Sequence, residues 1–177
     1  MQPAVFLDRD GVINEAKVID GKPYPPNTLA ELKIIEGVKD SLSLLRDYGY
    51  YCIVITNQPD VARGKTPIET VEEINRFLLT NLAIDEILSC YHDDNAGCQC
   101  RKPKPGAILN AAKKYDIDLK GSYMIGDRWR DIEAGQGAGC DTFFIDYQYN
   151  EKRPANPTYT VNSLSEAVKI ILGNKKP

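Results

Sequence analysis

Two carboxylates follow the first apolar run of the chain, and they are the first residues with a spacing suited to chemistry. The run from Ala4 to Leu7 predicts a buried strand that ends at Asp8, with Asp10 two positions later and a turn glycine at Gly11. Residues two apart on an extended chain project to the same side, so both acids face one small volume. Because neighbouring carboxylates repel unless a cation or a shared proton lies between them, the pair is a candidate metal and acid–base site. An ordinary Asp-x-Asp-Gly turn has the same residues.

Further polar groups follow other predicted strands or lie in loops beside them. Ligands bind at the carboxyl edge of an open α/β sheet, so we expect these groups to meet there. The set comprises Asp8, Asp10, Thr56, Lys102 and Asp127. It suits phosphoryl transfer, which needs a cation, further positive charge and donors for phosphate oxygens. Asp8 and Asp127 can supply ligands for Mg²⁺, while Thr56 and Lys102 can hold phosphate oxygens.

The elements that must position these residues alternate between strand and helix, which predicts an α/β fold with a doubly wound parallel sheet. We expect one domain over residues 1–177, with no insert large enough for a cap domain. Apolar residues such as Leu44 and Leu109 are assigned to the buried faces of their helices. The proline-rich segment 14–36 is expected to be an irregular loop over the site, and 173–177 an irregular end. Strands are predicted at 4–7, 51–55, 86–89, 123–125 and 142–145, and helices at 37–48, 66–82, 105–115, 131–137 and 164–172.

Charge and composition limit the classes of binding partner that we expect for this chain. The formal net charge of -3 provides no basic field for a polyanion, so nucleic acid is not expected as the main partner. No leader pattern and no apolar run of membrane-spanning length occurs, so we expect a cytoplasmic monomer without a membrane partner. In that compartment the five cysteines are expected to be reduced, with Cys52 and Cys140 as core thiols.

The other three cysteines cluster around the only histidine of the chain. Cys90, His92, Cys98 and Cys100 have the spacing C-x-H-x5-C-x-C, four ligands of the right type for a closed tetrahedral Zn²⁺ site. A redox-active dithiol is the alternative. With all four positions filled, zinc would be structural. It would stiffen a zinc-binding loop over 90–100, just before Arg101 and Lys102.

Four motifs carry a resemblance over nearly the whole chain. The motifs resemble, in order, those of the haloacid dehalogenase superfamily: FLDRDG, ITNQ, RKPKPG and IGDRWRD. Members of this superfamily are phosphatases with a Rossmann-like fold and an aspartate nucleophile. The resemblance implies that Asp8 forms an aspartyl-phosphate and that Asp10 is the general acid. It implies that Thr56 and Lys102 stabilise the transferring group. It also implies that Mg²⁺ is held by Asp8, the backbone carbonyl of Asp10 and Asp127.

The cysteine loop directly before RKPKPG is similar to that of a small capless branch of the superfamily, whose members act on phosphorylated metabolites. The sequence ARGK at 62–65 favours the members that remove the 7-phosphate of a heptose bisphosphate, and we expect this substrate first. The five-residue gap in the cysteine loop favours the members that act on histidinol phosphate, which is the alternative. By the same resemblance, substrate contacts are expected from Asn57, Gln58, Arg101 and Arg128.

Several alternatives remain open from the sequence. Lys104 also lies between prolines and competes with Lys102 for the role of the fixed cation. Asp131 either orients that lysine or only favours the start of its helix, and Arg128 is either a substrate contact or a solvated residue. A different class of function is a zinc-stabilised module whose acids bind a metal without turnover.

Overall fold

The computed structural model describes residues 1–173, and its centre is a six-stranded sheet in which every neighbouring pair of strands is parallel. The α/β prediction is therefore confirmed. The strands are β1 (Ala4–Leu7), β2 (Lys17–Ile19), β3 (Lys22–Tyr24), β4 (Tyr51–Asn57), β5 (Glu86–Cys90), β6 (Tyr123–Gly126), β7 (Asp141–Ile145) and β8 (Tyr159–Val161). The central sheet has the order β5-β4-β1-β6-β7-β8. The helices are α1 (Val38–Asp47), α2 (Ile68–Asn81), α3 (Gly106–Tyr115), α4 (Trp129–Ala138) and α5 (Leu164–Gly173).

Helices cover both faces of the sheet. On β1, Val5 and Leu7 pack into the core shared with α1, α2 and α5, while Ala4 and Phe6 pack into the core shared with α3 and α4. All four side chains are fully buried. A strand buried on both faces has no polar position along its length, so the first charged side chain appears where the strand ends.

The sheet register brings the predicted site residues to one edge. Leu7 lies opposite Val54 on one side and Ile125 on the other. The next residue, Asp8, continues this alignment through a hydrogen bond from its backbone N–H to the carbonyl of Ile125, at 2.9 Å. The chain segments that follow β1, β4 and β6 therefore meet at the carboxyl edge of the sheet.

The prediction of an irregular segment over 14–36 is wrong for part of it. β2 and β3 form an antiparallel hairpin, and a short 3₁₀ helix spans Leu29–Glu31. Asp20 and Gly21 close the hairpin with φ angles of 51° and 73°, the left-handed conformation that Asp-Gly adopts in tight hairpin turns. Pro23 is compatible with this ribbon because each of its two strands is an edge strand.

The prediction of which residues form the buried faces of α1 and α3 is also partly wrong. Leu44 in α1 and Leu109 in α3 are 45% and 43% exposed. The buried face of α3 consists of Ile108, which the sequence also predicts to be buried, together with Ala107 and Ala111.

At the carboxyl-terminal end, β8 was not predicted and extends the sheet beyond β7. Gly173 ends α5 rather than beginning an irregular end, and positions 174–177 lie outside the described residues. Within residues 1–173, none of the helices has the length and apolar character needed to cross a bilayer.

Helix α4 approaches the sheet closely because two of its contacts are made by glycines. A Cβ at Gly135 would lie 2.5 Å from Cβ of Met124 and 2.8 Å from Cγ2 of Thr142. Gly126, at the end of β6, makes room in the same way for the side chain of Asp131 in α4. These glycines set the distance between the helix and the end of β6.

We therefore expect Gly135→Ala to lower the free energy of unfolding by about 1–3 kcal/mol, because the added methyl overpacks a rigid contact. Gly137→Ala in the same helix is the matched control. Its Cβ would lie 3.4 Å from Pro105, an ordinary contact, so the control should gain helix propensity of up to about 1 kcal/mol. Urea denaturation measures both changes. Equal stability of the two variants would contradict this account of the packing.

Candidate active site

A buried lysine links two carboxylates at the centre of the sheet edge. The ammonium of Lys102 donates to Oδ1 of Asp8 at 2.7 Å and to the carbonyl of Ile55 at 2.6 Å. It also lies 2.7 Å from Oδ1 of Asp131. Lys102 and Asp131 are each 2% exposed, and Asp8 is 8% exposed. The lysine is therefore a fixed positive charge beside the proposed nucleophile.

Asn57 holds the backbone of the loop that carries Lys102. The Asn57 side chain donates to the carbonyl of Lys102 at 3.0 Å and accepts from the N–H of Lys102 at 3.1 Å. The last residue of β4 thus clamps the backbone of the loop that follows the cysteine cluster. The ammonium of Lys104 instead donates to the carbonyl of Cys98, at 2.7 Å. The structure therefore places Lys102, not Lys104, at Asp8.

Burial and neighbouring charges together determine the pKa values of Asp8 and Lys102. The pKa of Asp8 is raised to about 6, because burial and the charge of Asp131 raise it more than the charge of Lys102 lowers it. Burial alone would lower the pKa of Lys102, but the carboxylates of Asp131 and Asp8 outweigh that effect, so the net shift is upward. The lysine therefore stays charged, while the acids retain an excess of negative charge that a cation would relieve.

The side chain of Asp10 is held by several donors. Gln58 donates to Oδ2 at 2.8 Å, Asn14 donates to Oδ1 at 3.0 Å, and the guanidinium of Arg9 donates to Oδ1 at 3.1 Å. The same amide of Gln58 also donates to the hydroxyl of Thr56, at 2.9 Å. Gln58 thus couples two residues that the sequence assigned to separate roles.

Asp127 has one oxygen engaged and one oxygen free of hydrogen bonds. Its Oδ2 accepts from the hydroxyl of Tyr149 at 2.8 Å, whereas Oδ1 is buried without a hydrogen-bond partner. Carboxylate oxygens of Asp8, Asp127 and Asp131 lie within 4.8 Å of one another. A buried, unpartnered carboxylate oxygen beside another carboxylate fits a hard divalent cation such as Mg²⁺.

Both carboxylate oxygens of Asp131, the third acid of this group, already have partners. Oδ1 of Asp131 pairs with Lys102, and Oδ2 accepts from the backbone N–H of Arg128 at 2.9 Å. Asp131 therefore orients the lysine and also caps α4, so both sequence-based interpretations apply to it. Asp8 and Asp127 remain as the carboxylates suited to a cation.

The cysteine cluster is assembled as the spacing predicts. The sulfur atoms of Cys90, Cys98 and Cys100 and a ring nitrogen of His92 all lie within 4.8 Å of one another. Cys90 Sγ is 3.1 Å from Cys100 Sγ, 3.8 Å from Cys98 Sγ and 3.5 Å from His92 Nδ1. All three cysteines are free thiols. Four converging soft ligands are consistent with a tetrahedral zinc site.

A cavity of about 250 Å³ opens above Asp8 and Asp10. Its walls include the β2–β3 hairpin and the predicted substrate contacts Asn57, Gln58, Arg101 and Arg128. Arg101 pairs with Asp94 at 2.8 Å, and Nε of Arg128 pairs with Glu151 at 3.0 Å. Thr56 and Asp127 are not among the residues that line the cavity, and each is 1% exposed.

Several contributors to the site were missed from the sequence, among them Asn14, which donates to Asp10. Arg9, fully buried beside Asp10, is further fixed by a 3.0 Å hydrogen bond to Asn75. Tyr147 and Tyr149 come from the loop after β7, and burial raises the pKa of both hydroxyls, which keeps them protonated as donors. Their position after a parallel strand was the available signal, since that loop must lie at the same sheet edge.

Comparison with known proteins agrees with this geometry. A family model described as HAD-hydrolase-like matches residues 99–167. A D-glycero-β-D-manno-heptose-1,7-bisphosphate 7-phosphatase from Vibrio cholerae serotype O1 is 34% identical, with 99% of each chain covered. The Escherichia coli K12 protein of the same name is 32% identical, over 99% of this chain and 96% of its own.

A solved structure is similar over the same extent. The D,D-heptose 1,7-bisphosphate phosphatase from B. bronchiseptica, complexed with magnesium and phosphate, has a TM-score of 0.82 and 28% identity, covering 98% of this chain and 99% of its own. With the motifs, the sheet and the full-length relatives in agreement, the chain belongs to the haloacid dehalogenase superfamily of phosphatases, in the family of the D-glycero-β-D-manno-heptose-1,7-bisphosphate 7-phosphatases.

Proposed function

We propose that the protein removes the 7-phosphate of D-glycero-β-D-manno-heptose 1,7-bisphosphate in the cytoplasm. The observation that carries this proposal is the buried pairing of Asp8 with Lys102 at the base of a cavity lined by arginines. The names of the full-length relatives support the substrate. Every group used below comes from one chain, so a monomeric single domain is sufficient.

The reaction proceeds in two displacements. A carboxylate oxygen of Asp8 attacks phosphorus, the bond from phosphorus to the sugar oxygen breaks, and an aspartyl-phosphate forms. Asp10 donates a proton to the departing sugar oxygen. Asp10 then takes a proton from water, whose oxygen attacks the same phosphorus, so that inorganic phosphate leaves and the Asp8 carboxylate is restored.

Positive charge and hydrogen-bond donors around Asp8 support both steps. Lys102 stabilises charge on the transferring phosphoryl group, and Thr56 holds one of its oxygens. Asn57 keeps the lysine in place through its two hydrogen bonds to the lysine backbone. Gln58 positions Asp10, to which it donates directly.

Magnesium fits the acidic side of the site. We assign Asp8, the backbone carbonyl of Asp10 and Asp127 as its ligands, and the relative from B. bronchiseptica was solved with magnesium and phosphate. When bound, the cation offsets the negative charge shared by the phosphate and the attacking carboxylate. The unpartnered Oδ1 of Asp127 is the observation that supports this assignment.

The arginines of the cavity suit the second phosphate of a bisphosphate. Arg101 and Arg128 both line the cavity, and both are already paired with carboxylates, Asp94 and Glu151. Guanidinium groups bind phosphate through charge-assisted, often bidentate hydrogen bonds. A phosphate at C1 of the sugar can therefore compete with these carboxylates for the same donors.

We assign Zn²⁺ to Cys90, His92, Cys98 and Cys100, in a structural role. The cluster lies directly before Arg101 and Lys102 in the chain. The loop over 91–101 contains no buried residue, so it gains little from hydrophobic packing. A metal that joins its two ends would fix the position of the lysine that follows.

Histidinol phosphate is the alternative substrate, favoured by the five-residue gap between His92 and Cys98. Measuring kcat/KM for both esters side by side with the purified Mg²⁺-loaded protein tests the assignment. The proposal expects a clear preference for the heptose bisphosphate. A preference for histidinol phosphate would replace the first substrate by the second.

We expect Asp8→Asn to lower kcat at least about 10³-fold, because an amide cannot form the covalent intermediate. Thermal unfolding should show that the variant keeps its fold. Asp60→Asn is the control: Asp60 lines the same cavity, but its exposed 3.4 Å pair with Arg63 should change kcat by less than about threefold. A module that binds metal without turnover would show no phosphatase activity in the wild-type protein either.

Elemental analysis of the purified protein should find about one zinc per chain. Cys98→Ser should lose that zinc and lower kcat by about 10- to 100-fold, because Lys102 loses its fixed position. Cys140→Ala, which changes a buried cysteine outside the cluster, should retain the zinc. Absence of zinc from the wild-type protein, together with activity that depends on thiol reduction, would instead support a redox dithiol.

A further inference from the structure

The loop after β7 reaches back across the sheet edge to the acidic site. In this post-β7 loop, residues 146–153, the hydroxyl of Tyr149 donates to Oδ2 of Asp127 at 2.8 Å. The hydroxyl of Tyr147 donates to the carbonyl of Gly11 at 2.9 Å. The two rings stack, with centroids 5.5 Å apart and an angle of 30° between their planes. The loop thus touches the acid-bearing turns after β1 and after β6.

Several contacts hold the post-β7 loop in this position. The N–H of Asn150 donates to the carbonyl of Gly21 in the hairpin turn at 2.8 Å. Glu151 accepts from Nε of Arg128 at 3.0 Å, beside the start of α4. Arg153 pairs with Asp146, which joins the two ends of the loop. The tyrosines are therefore carried by a segment with its own anchors.

The hydrogen bond from Tyr149 makes the two carboxylate oxygens of Asp127 different from each other. Oδ2 is occupied by the hydroxyl, while Oδ1 is buried and has no hydrogen-bond partner. On the Oδ2 side Gly11 leaves little room, because a Cβ there would lie 2.0 Å from this oxygen. The carboxylate is thus held in one orientation, with a single oxygen available to a cation.

We infer that Tyr149 is a positioning residue for the divalent cation: it holds Asp127 in the orientation in which Oδ1 faces the metal. The inference rests on the proposed Mg²⁺-dependent function and assigns to the post-β7 loop a part in metal binding. Groups that hydrogen-bond to metal ligands fix the orientation of those ligands, and their removal weakens metal binding.

Tyr149→Phe tests this because it removes the hydroxyl and keeps the ring that stacks on Tyr147. We expect the dissociation constant for Mg²⁺, measured by isothermal titration calorimetry without substrate, to rise about tenfold or more. Activity should need correspondingly more Mg²⁺, while kcat at saturating Mg²⁺ approaches the wild-type value. Tyr147→Phe is the matched control, since its hydroxyl contacts Gly11 and not Asp127, and it should keep the wild-type affinity.

The possible results separate this inference from the proposed function. Equal Mg²⁺ affinity in Tyr149→Phe and a catalytically active wild-type protein would overturn the inference alone. So would an equal loss of affinity in Tyr147→Phe, because the effect would then come from the loop as a whole. A wild-type protein that binds no Mg²⁺ and hydrolyses no phosphate ester would overturn the proposed function together with the inference.

Discussion

The contact of Lys102 with Asp8 and Asp131 is the constraint on which the rest of the site depends. Charges removed from water lose hydration, and their attraction compensates only when the geometry is close and the remaining donors are satisfied. Here the ammonium lies 2.7 Å from each carboxylate and also bonds to the carbonyl of Ile55. An ionised Asp8, the proposed nucleophile, can therefore be kept in a buried site.

Much of the fold serves to hold this contact. The central strand β1 delivers Asp8 to the sheet edge, and the close approach of α4 to the sheet allows Asp131 to reach the lysine. Asn57 clamps the backbone of Lys102 from the neighbouring strand β4. A metal bound at the cysteine cluster, as proposed above, would limit the freedom of the loop before the lysine. Packing, side-chain hydrogen bonds and proposed metal binding thus act on the same three charges.

The sequence predicted the parts of the site that local patterns determine. Asp8 could be predicted because a strand buried on both faces ends abruptly in a charged residue. The cysteine cluster could be predicted because its ligands lie close together in the sequence. Contacts between distant segments had no such signal: Tyr149 meets Asp127 only because β7 lies beside β6. The hairpin is different, since its Asp-Gly turn is a local signal that the proline content of the segment outweighed.

The central claim is that Asp8 carries the phosphoryl group during each turnover. Rapid acid quench of the enzyme during hydrolysis of the heptose bisphosphate, followed by peptide mass spectrometry, tests it most directly. The account predicts one added phosphoryl group on the peptide that contains Asp8, absent from Asp8→Asn. Hydrolysis at the normal rate with no phosphorylated peptide, or with the group on another residue, would contradict it.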